Sequence, residues 1–274
     1  MSPHARDRAR DKRRLKKRQS VLAQRDMDSR RNKQVLGIVL AMVVVIGGLV
    51  GLSLALNRDD NTSPNPQAAG QVAPAPRNVV AGCRNAPKVP SEKRSGTLPD
   101  RSTAAGKTFV ATVTTNCGII TMDLDGTRAP QTVASFIGLA KSGYWADSPC
   151  HRLTTEGIFV LQCGDPTGTG SGGPGYGYGV ENAPADFTFP AGTLAMARTK
   201  DPKSNGGQFF IVYKETVLKD PTGYSTFGKI TSGMDIVDRI SAAGATPLDA
   251  TQNTAPRQPI SILAVDVAEK KASQ

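Results

Sequence analysis

The sequence predicts a mainly β domain, an antiparallel barrel with two capping helices, carried behind one transmembrane helix. Three observations predict it. Many short apolar runs and only two helical patterns share the C-terminal portion of the chain. An uncharged apolar run at residues 35–56 is long enough to cross a bilayer. Hydrophobic residues are 38% of the 274 and aromatics 5%, so part of the chain lies outside a packed core.

The N-terminal third divides by charge. The chain carries 34 Lys and Arg against 23 Asp and Glu, a net +11. Residues 1–34 hold 13 of the basic side chains and 4 of the acidic ones, which leaves the other 240 residues at +2. Because the charge is confined to the arm and the rest is nearly neutral, a basic nucleic-acid-binding domain is argued against, and no nucleic-acid partner is expected. As a helix, residues 35–56 would span about 33 Å at ~1.5 Å per residue. The run exceeds the roughly 7–15 residues of a cleaved signal's apolar core, so an anchor is expected. The basic cluster precedes the run, and only Arg58 follows closely, beside Asp59 and Asp60. The positive-inside rule places the N-terminus in the cytoplasm and the rest outside, a single-pass cell-membrane protein. The arm at 1–34 reads as a topology signal before it reads as a site for anionic lipid or nucleic acid.

Residues 57–105 carry Pro64, Pro66, Pro74, Pro76, Pro87, Pro90 and Pro99 among small polar residues. That composition predicts an extended extracytoplasmic linker. The folded domain is expected at 106–270. Cys83, Cys117, Cys150 and Cys163 all follow the apolar run and none forms a C-x-x-C pair, so two disulfides are expected rather than a zinc site. Three pairings remain open. Of the two histidines, His4 lies in the arm and His151 in the domain, which excludes a metal site built from several histidines.

Within the domain, 107–114 (KTFVATVT) and 117–124 (CGIITMDL) alternate about a short turn and read as a hairpin. Residues 130–141 place Val133, Phe136, Ile137 and Ala140 at helical spacing, with Pro130 in the first turn and Gly143 after the end. A second helix is expected at 234–242, before Gly244. Short apolar runs at 159–161, 193–197, 208–213, 224–230 and 260–267 supply further strands. The Gly-rich stretch at 164–179 lacks the Gly-Lys-Ser/Thr of a phosphate loop and reads as an irregular loop. No G-x-S-x-G is present, so a serine hydrolase finds no support.

Five strings remain: CHRL at 150–153, IFVLQCGDP at 158–166, GTLAMAR at 192–198, NGGQFFI at 205–211 and FGKI at 227–230. In order and spacing they resemble the cyclophilin family of peptidyl-prolyl cis-trans isomerases. That family carries a His-Arg strand, Phe-Met-x-Gln-Gly-Gly-Asp, Gly-x-Leu-x-Met-Ala, Asn-x-Ser-Gln-Phe-Phe-Ile and a later Phe-Gly. The resemblance covers about residues 107–268. With the apolar run, the Pro-rich segment and the cysteines, the chain is similar to extracytoplasmic cyclophilins of actinobacteria.

The resemblance implies a closed eight-stranded antiparallel β-barrel with two helices and a substrate groove on its outer face. It implies Arg152 as the catalytic residue and Gln162 and Gln208 as holders of the substrate backbone. Phe159, Val160, Phe210 and Leu218 would line a proline pocket, with Tyr224 as a wall. Ala197 and Arg198 would bind the backbone before the proline. Phe209 is expected in the core and His151 in a structural role. On the same basis Cys150 would pair with Cys163, on two strands of the groove, leaving Cys83 for Cys117. No metal and no cofactor is implied. The partners would be proline-containing polypeptides and, weakly, a cyclosporin-type ligand, since Val217 stands where some relatives have Trp. The sequence departs from the family at 154–157, where the chain is about two residues longer and lacks the usual proline. It departs again at Val160, commonly Met, and at Arg198, commonly Asn. A second function stays open beside the enzyme: a module that docks Pro-containing segments with little catalysis.

Overall fold

The structure, a computed structural model, describes residues 80–247 and 254–271. The predicted arm and membrane span lie outside the described residues, as do linker residues 57–79. Among the described residues no helix is long and apolar enough to cross a membrane.

The expected hairpin forms from β1 (Thr108–Thr115) and β2 (Gly118–Asp125). Phe109, Ala111 and Val113 face Leu124, Met122 and Ile120 across the ladder, and all six are buried, as the period of two requires. Helix α1 (Pro130–Lys141) occupies its predicted span. Its N-cap, Ala129, offers no side-chain acceptor. The Glu181 carboxylate replaces it, accepting from the N–H groups of Gln131 (3.1 Å) and Thr132 (2.8 Å). At the far end Gly143 adopts φ 66°, and its N–H and that of Tyr144 donate to Ala140 O and Leu139 O, closing a Schellman motif.

The chain continues through β3 (Ser148–Pro149), β4 (Arg152–Leu153) and β5 (Val160–Cys163). Next come β6 (Thr188–Phe189), β7 (Thr193–Met196), β8 (Phe209–Val212) and β9 (Thr216–Val217). It ends with β10 (Thr226–Ser232), helix α2 (Met234–Ala242, as predicted) and β11 (Ser261–Glu269). Nine strands form one curled antiparallel sheet in the order β3-β11-β1-β2-β10-β7-β8-β5-β4, and β6 pairs with β9 apart from it. The sheet's two outer strands, β3 and β4, are separated in sequence only by Cys150 and His151. There the segment changes partner, from β11 to β5. Among the described residues this sheet has nine strands where eight strands were expected, and the segment 148–153 enters it as two short strands because it changes partner at Cys150 and His151.

The core packs Phe136 against Trp145, Phe209 and Phe227, with ring centroids 4.5–5.7 Å apart. The buried Trp145 indole donates to Gly207 O at 3.0 Å, so its polar edge is satisfied.

Residues 80–105 correct the linker expectation. Val80 and Ala104 are buried, Pro99 packs on Gly138, and a 3-10 turn forms at Arg101–Thr103. The proline content that reads as a tether here fixes an extended strap on the domain surface. Cys83 is bonded to Cys117 and Cys150 to Cys163. Sequence separations of 34 and 13 residues correspond, on loop-closure grounds, to about 4 and about 3 kcal/mol. Two such bonds accord with an oxidising, extracytoplasmic setting.

Candidate active site

One row of residues crosses four neighbouring strands. Arg152 on β4 faces Gln162 on β5, Gln162 faces Phe210 on β8, and Phe210 faces Ala195 on β7. Residues directly opposite one another share a face of the sheet. The intervening residues Leu161, Cys163, Phe209 and Met196 therefore point the other way, into the main core. The division of Phe209 and Phe210 between core and groove follows from that alternation.

Around Phe210 lies a second, smaller apolar cluster of Val160, Phe189, Ala195 and Val212, bordered by Ile158, Ala197, Leu218 and Tyr224. The Tyr224 ring stands edge-on to Phe210, 5.8 Å between centroids. Phe159 is not in this cluster. Its ring packs edge-on to Tyr213 at 5.9 Å, and Lys214 Nζ lies 4.6 Å from its centroid. Ile158 borders the cluster although it sits in the bend before β5. Ile158, Phe189, Ala195 and Val212 were missed in the sequence.

A chain of hydrogen bonds orients the polar rim. Arg152 Nη1 donates to Gln162 Oε1 (3.2 Å), and Gln162 Nε2 donates to Gln208 Oε1 (2.9 Å). Gln208 Nε2 donates to the carbonyls of Gly170 (3.0 Å) and Gly172 (2.8 Å). Because two carbonyls can only accept, the Gln208 amide has one orientation, and each later link inherits it. The Gly-rich loop is held in turn by buried Asp165, which accepts from Thr167, Thr169 and the Gly172 N–H. Burial opposes the Asp165 charge, yet these donors keep its carboxyl below the usual range. Partial burial lowers the Arg152 guanidinium somewhat, with the Tyr224 hydroxyl acting the other way. At neutral pH it stays charged. Gln162, Gln208, Ala197 and the Gly-rich loop also wall an adjoining cleft of about 410 Å³.

Arg198 lies beside Ala197 and also lines the adjoining cleft, and its side chain is only 3% exposed. Its Nε donates to Gly223 O (2.8 Å), its Nη2 pairs with Asp220 Oδ1 (2.6 Å), and its Cζ sits 4.7 Å from the Tyr224 ring centroid. The side chain ties together the 220–224 turn and Tyr224 and leaves the main-chain groups of Arg198 out of these contacts. Val217 is 46% exposed next to Leu218. At the departure in 154–157, Thr154 N–H donates to Val160 O (3.0 Å) and Tyr213 Oη donates to Thr154 O (2.6 Å). The longer loop is thus pinned at its base.

His151 is mostly buried near Asp165, Arg152 and Gln208, and burial holds its imidazole below the ordinary value. The unfolded chain binds that proton first, so the stabilisation is complete above about pH 6.5 and is lost as pH falls toward the folded value. The urea midpoint is expected to be lower at pH 5 than at pH 7.5, and His151→Gln to flatten the difference. An equal slope in both proteins would contradict this.

The site thus combines a cation and two oriented amides on the rim of an apolar cluster, on the face of the curled antiparallel sheet opposite the main core. The chain belongs to the cyclophilin-type peptidyl-prolyl cis-trans isomerase family, whose model matches residues 110–267. It is 34% identical over 195 residues to a probable peptidyl-prolyl cis-trans isomerase B of Mycobacterium tuberculosis, covering 66% of this chain and 59% of that one. It is 30% identical to a peptidyl-prolyl cis-trans isomerase of Acinetobacter baylyi, covering 56% of this chain and 82% of the relative. A cyclophilin-type isomerase structure from Cryptosporidium parvum, 28% identical, aligns with TM-score 0.49 over 60% of this chain and 99% of that one. The chain spans about three fifths of the length of its mycobacterial relatives.

Proposed function

We propose that the chain is an extracytoplasmic peptidyl-prolyl cis-trans isomerase, tethered by residues 35–56 and acting on X-Pro bonds of secreted or envelope proteins. The carrying observation is the row Arg152, Gln162, Phe210 and Ala195 beside the apolar cluster, in a chain of this family. Rotation about X-Pro loses amide resonance and faces a barrier of ~20 kcal/mol, yet needs no proton transfer and no covalent intermediate. The pocket around Phe210 grips the proline ring. Arg152 donates to the amide nitrogen or its carbonyl as the bond twists, and that interaction is strongest in the twisted state. Gln162 and Gln208 hold the neighbouring backbone. The closed barrel is part of the same reading. If 148–153 is taken as one strand bridging β11 and β5, eight strands remain in a ring.

The domain order follows: cytoplasmic arm at 1–34, membrane helix at 35–56, linker from 57, and the isomerase domain, with the strap as its leading edge. Exchange spectroscopy on a short Xaa-Pro peptide tests the activity. Accelerated cis–trans exchange is the expected result; binding without acceleration would favour the docking-module reading. A cyclosporin-type ligand should bind weakly, because exposed Val217 offers neither an indole N–H nor a large apolar face. Val217→Trp is expected to tighten that binding in titration calorimetry. No change would remove position 217 from the ligand surface.

A further inference from the structure

We propose, resting on the isomerase reading above, that residues 94–99 are a positioning strap that holds Gln208, and through it Gln162 and Arg152, from two sides. This segment precedes the part of the chain that the family model matches.

The first route runs through the end of α1. Arg94 Nη1 donates to the carbonyls of Gly143 (3.3 Å), Tyr144 (2.9 Å) and Ala146 (2.6 Å). These carbonyls belong to the turn just past the end of α1, where a cation is also favoured by the helix dipole. Between those anchors stand Tyr144, whose ring lies against Gly207, and Trp145, whose indole donates to Gly207 O. Gly207 immediately precedes Gln208. The second route runs through the Gly-rich loop. Gly96 N–H donates to Pro174 O at 2.8 Å, and a Cβ at Gly96 would lie 3.0 Å from Leu139 and 3.4 Å from Tyr176. Pro174 packs against Gly206, and the same loop supplies the Gly170 and Gly172 carbonyls that accept from Gln208. Both routes meet on the amide whose orientation sets the hydrogen-bond chain to Arg152. Strap residues also stay fixed to the domain by Pro99 on Gly138 and the Gln131 amide on Pro99 O. Arg94 and Gly96 touch no substrate atom in this account; they act through Gln208.

The test uses the purified full chain with Arg94→Ala, Arg94→Lys and Gly96→Val, all at a temperature where each is fully folded by circular dichroism. Arg94→Ala is expected to lower kcat/KM by at least about threefold, mainly in kcat, because small misplacements of a catalytic group cost rate. Arg94→Lys should recover part of the loss. Hydrogen exchange in peptides covering 164–178 should quicken at least about tenfold in Arg94→Ala and Gly96→Val, while the β1–β2 hairpin is unchanged. Lower thermal stability with unchanged kcat/KM would overturn the proposal, since a merely structural strap gives that result. Unchanged loop exchange would overturn it as well. An unsubstituted chain without isomerisation would count against the isomerase reading instead, and the exchange data would still decide whether the strap holds the loop.

Discussion

Replacing Arg152 with Ala is expected to lower kcat/KM for X-Pro isomerisation by about 10²-fold, the usual order for losing one donor aimed at a transition state. At least about tenfold, or ~1.4 kcal/mol, is required for the assignment to stand. The reason is that Arg152 is the one cation in the row that borders the apolar cluster. It is held by Gln162 at 3.2 Å with further guanidinium N–H groups left to donate. Arg152→Lys should fall between, because an ammonium keeps the charge and loses the planar fork. Stability should change little in either variant, since Arg152 is only partly buried and sits at the sheet's edge. Steady-state rates across peptide concentrations check this. A wild-type rate in Arg152→Ala would end the assignment.

Trp145→Ala is expected to produce the largest loss of stability. The ring is 2% exposed and touches Phe136, Tyr144 and Phe209, with centroids 4.5–5.9 Å away. Truncating a buried aromatic of this kind costs about 3–5 kcal/mol. For a domain of this size that shifts Tm by roughly 10 °C. Trp145→Phe restores most of the apolar volume but leaves Gly207 O without its donor, a cost of about 1–3 kcal/mol. Thermal and urea unfolding followed by far-ultraviolet circular dichroism separate the two. Equal midpoints for Trp145→Phe and the unsubstituted chain would show that the indole bond contributes nothing.

Much of this molecule was readable from local pattern, and what was not has identifiable causes. Both helices and the first hairpin occupy their predicted places because periodicities of 3.6 and 2 are written in neighbouring residues. The cap on α1 was invisible, because Glu181 lies 50 residues from the N–H groups it accepts from. The joint at Cys150 and His151 was invisible too, since a change of partner strand leaves no mark in composition. In the candidate site, Arg152, Gln162, Gln208 and Phe210, which the sequence strings named, come together in one row and hydrogen-bond chain. Phe159 packs on Tyr213 outside the apolar cluster, a contact between residues distant in sequence that local pattern does not show. Arg198 was read as a backbone-binding position, and its side chain proved to be committed to Asp220 and Tyr224. The strap was hidden by its own prolines. Such composition signals an extended chain, and only tertiary contacts decide whether that chain hangs free or lies on a surface.

The central claim is that Arg152 acts on the twisted amide and not on peptide binding. The most direct measurement takes one Xaa-Pro peptide and one pair of proteins, the full chain and its Arg152→Ala variant, and determines affinity and cis–trans exchange in the same samples. The expected result is an affinity that changes within about threefold, since the apolar pocket and both glutamines remain, while catalysed exchange falls by about 10²-fold. Exchange that persists in the variant, or that falls only in proportion to lost affinity, would contradict the account.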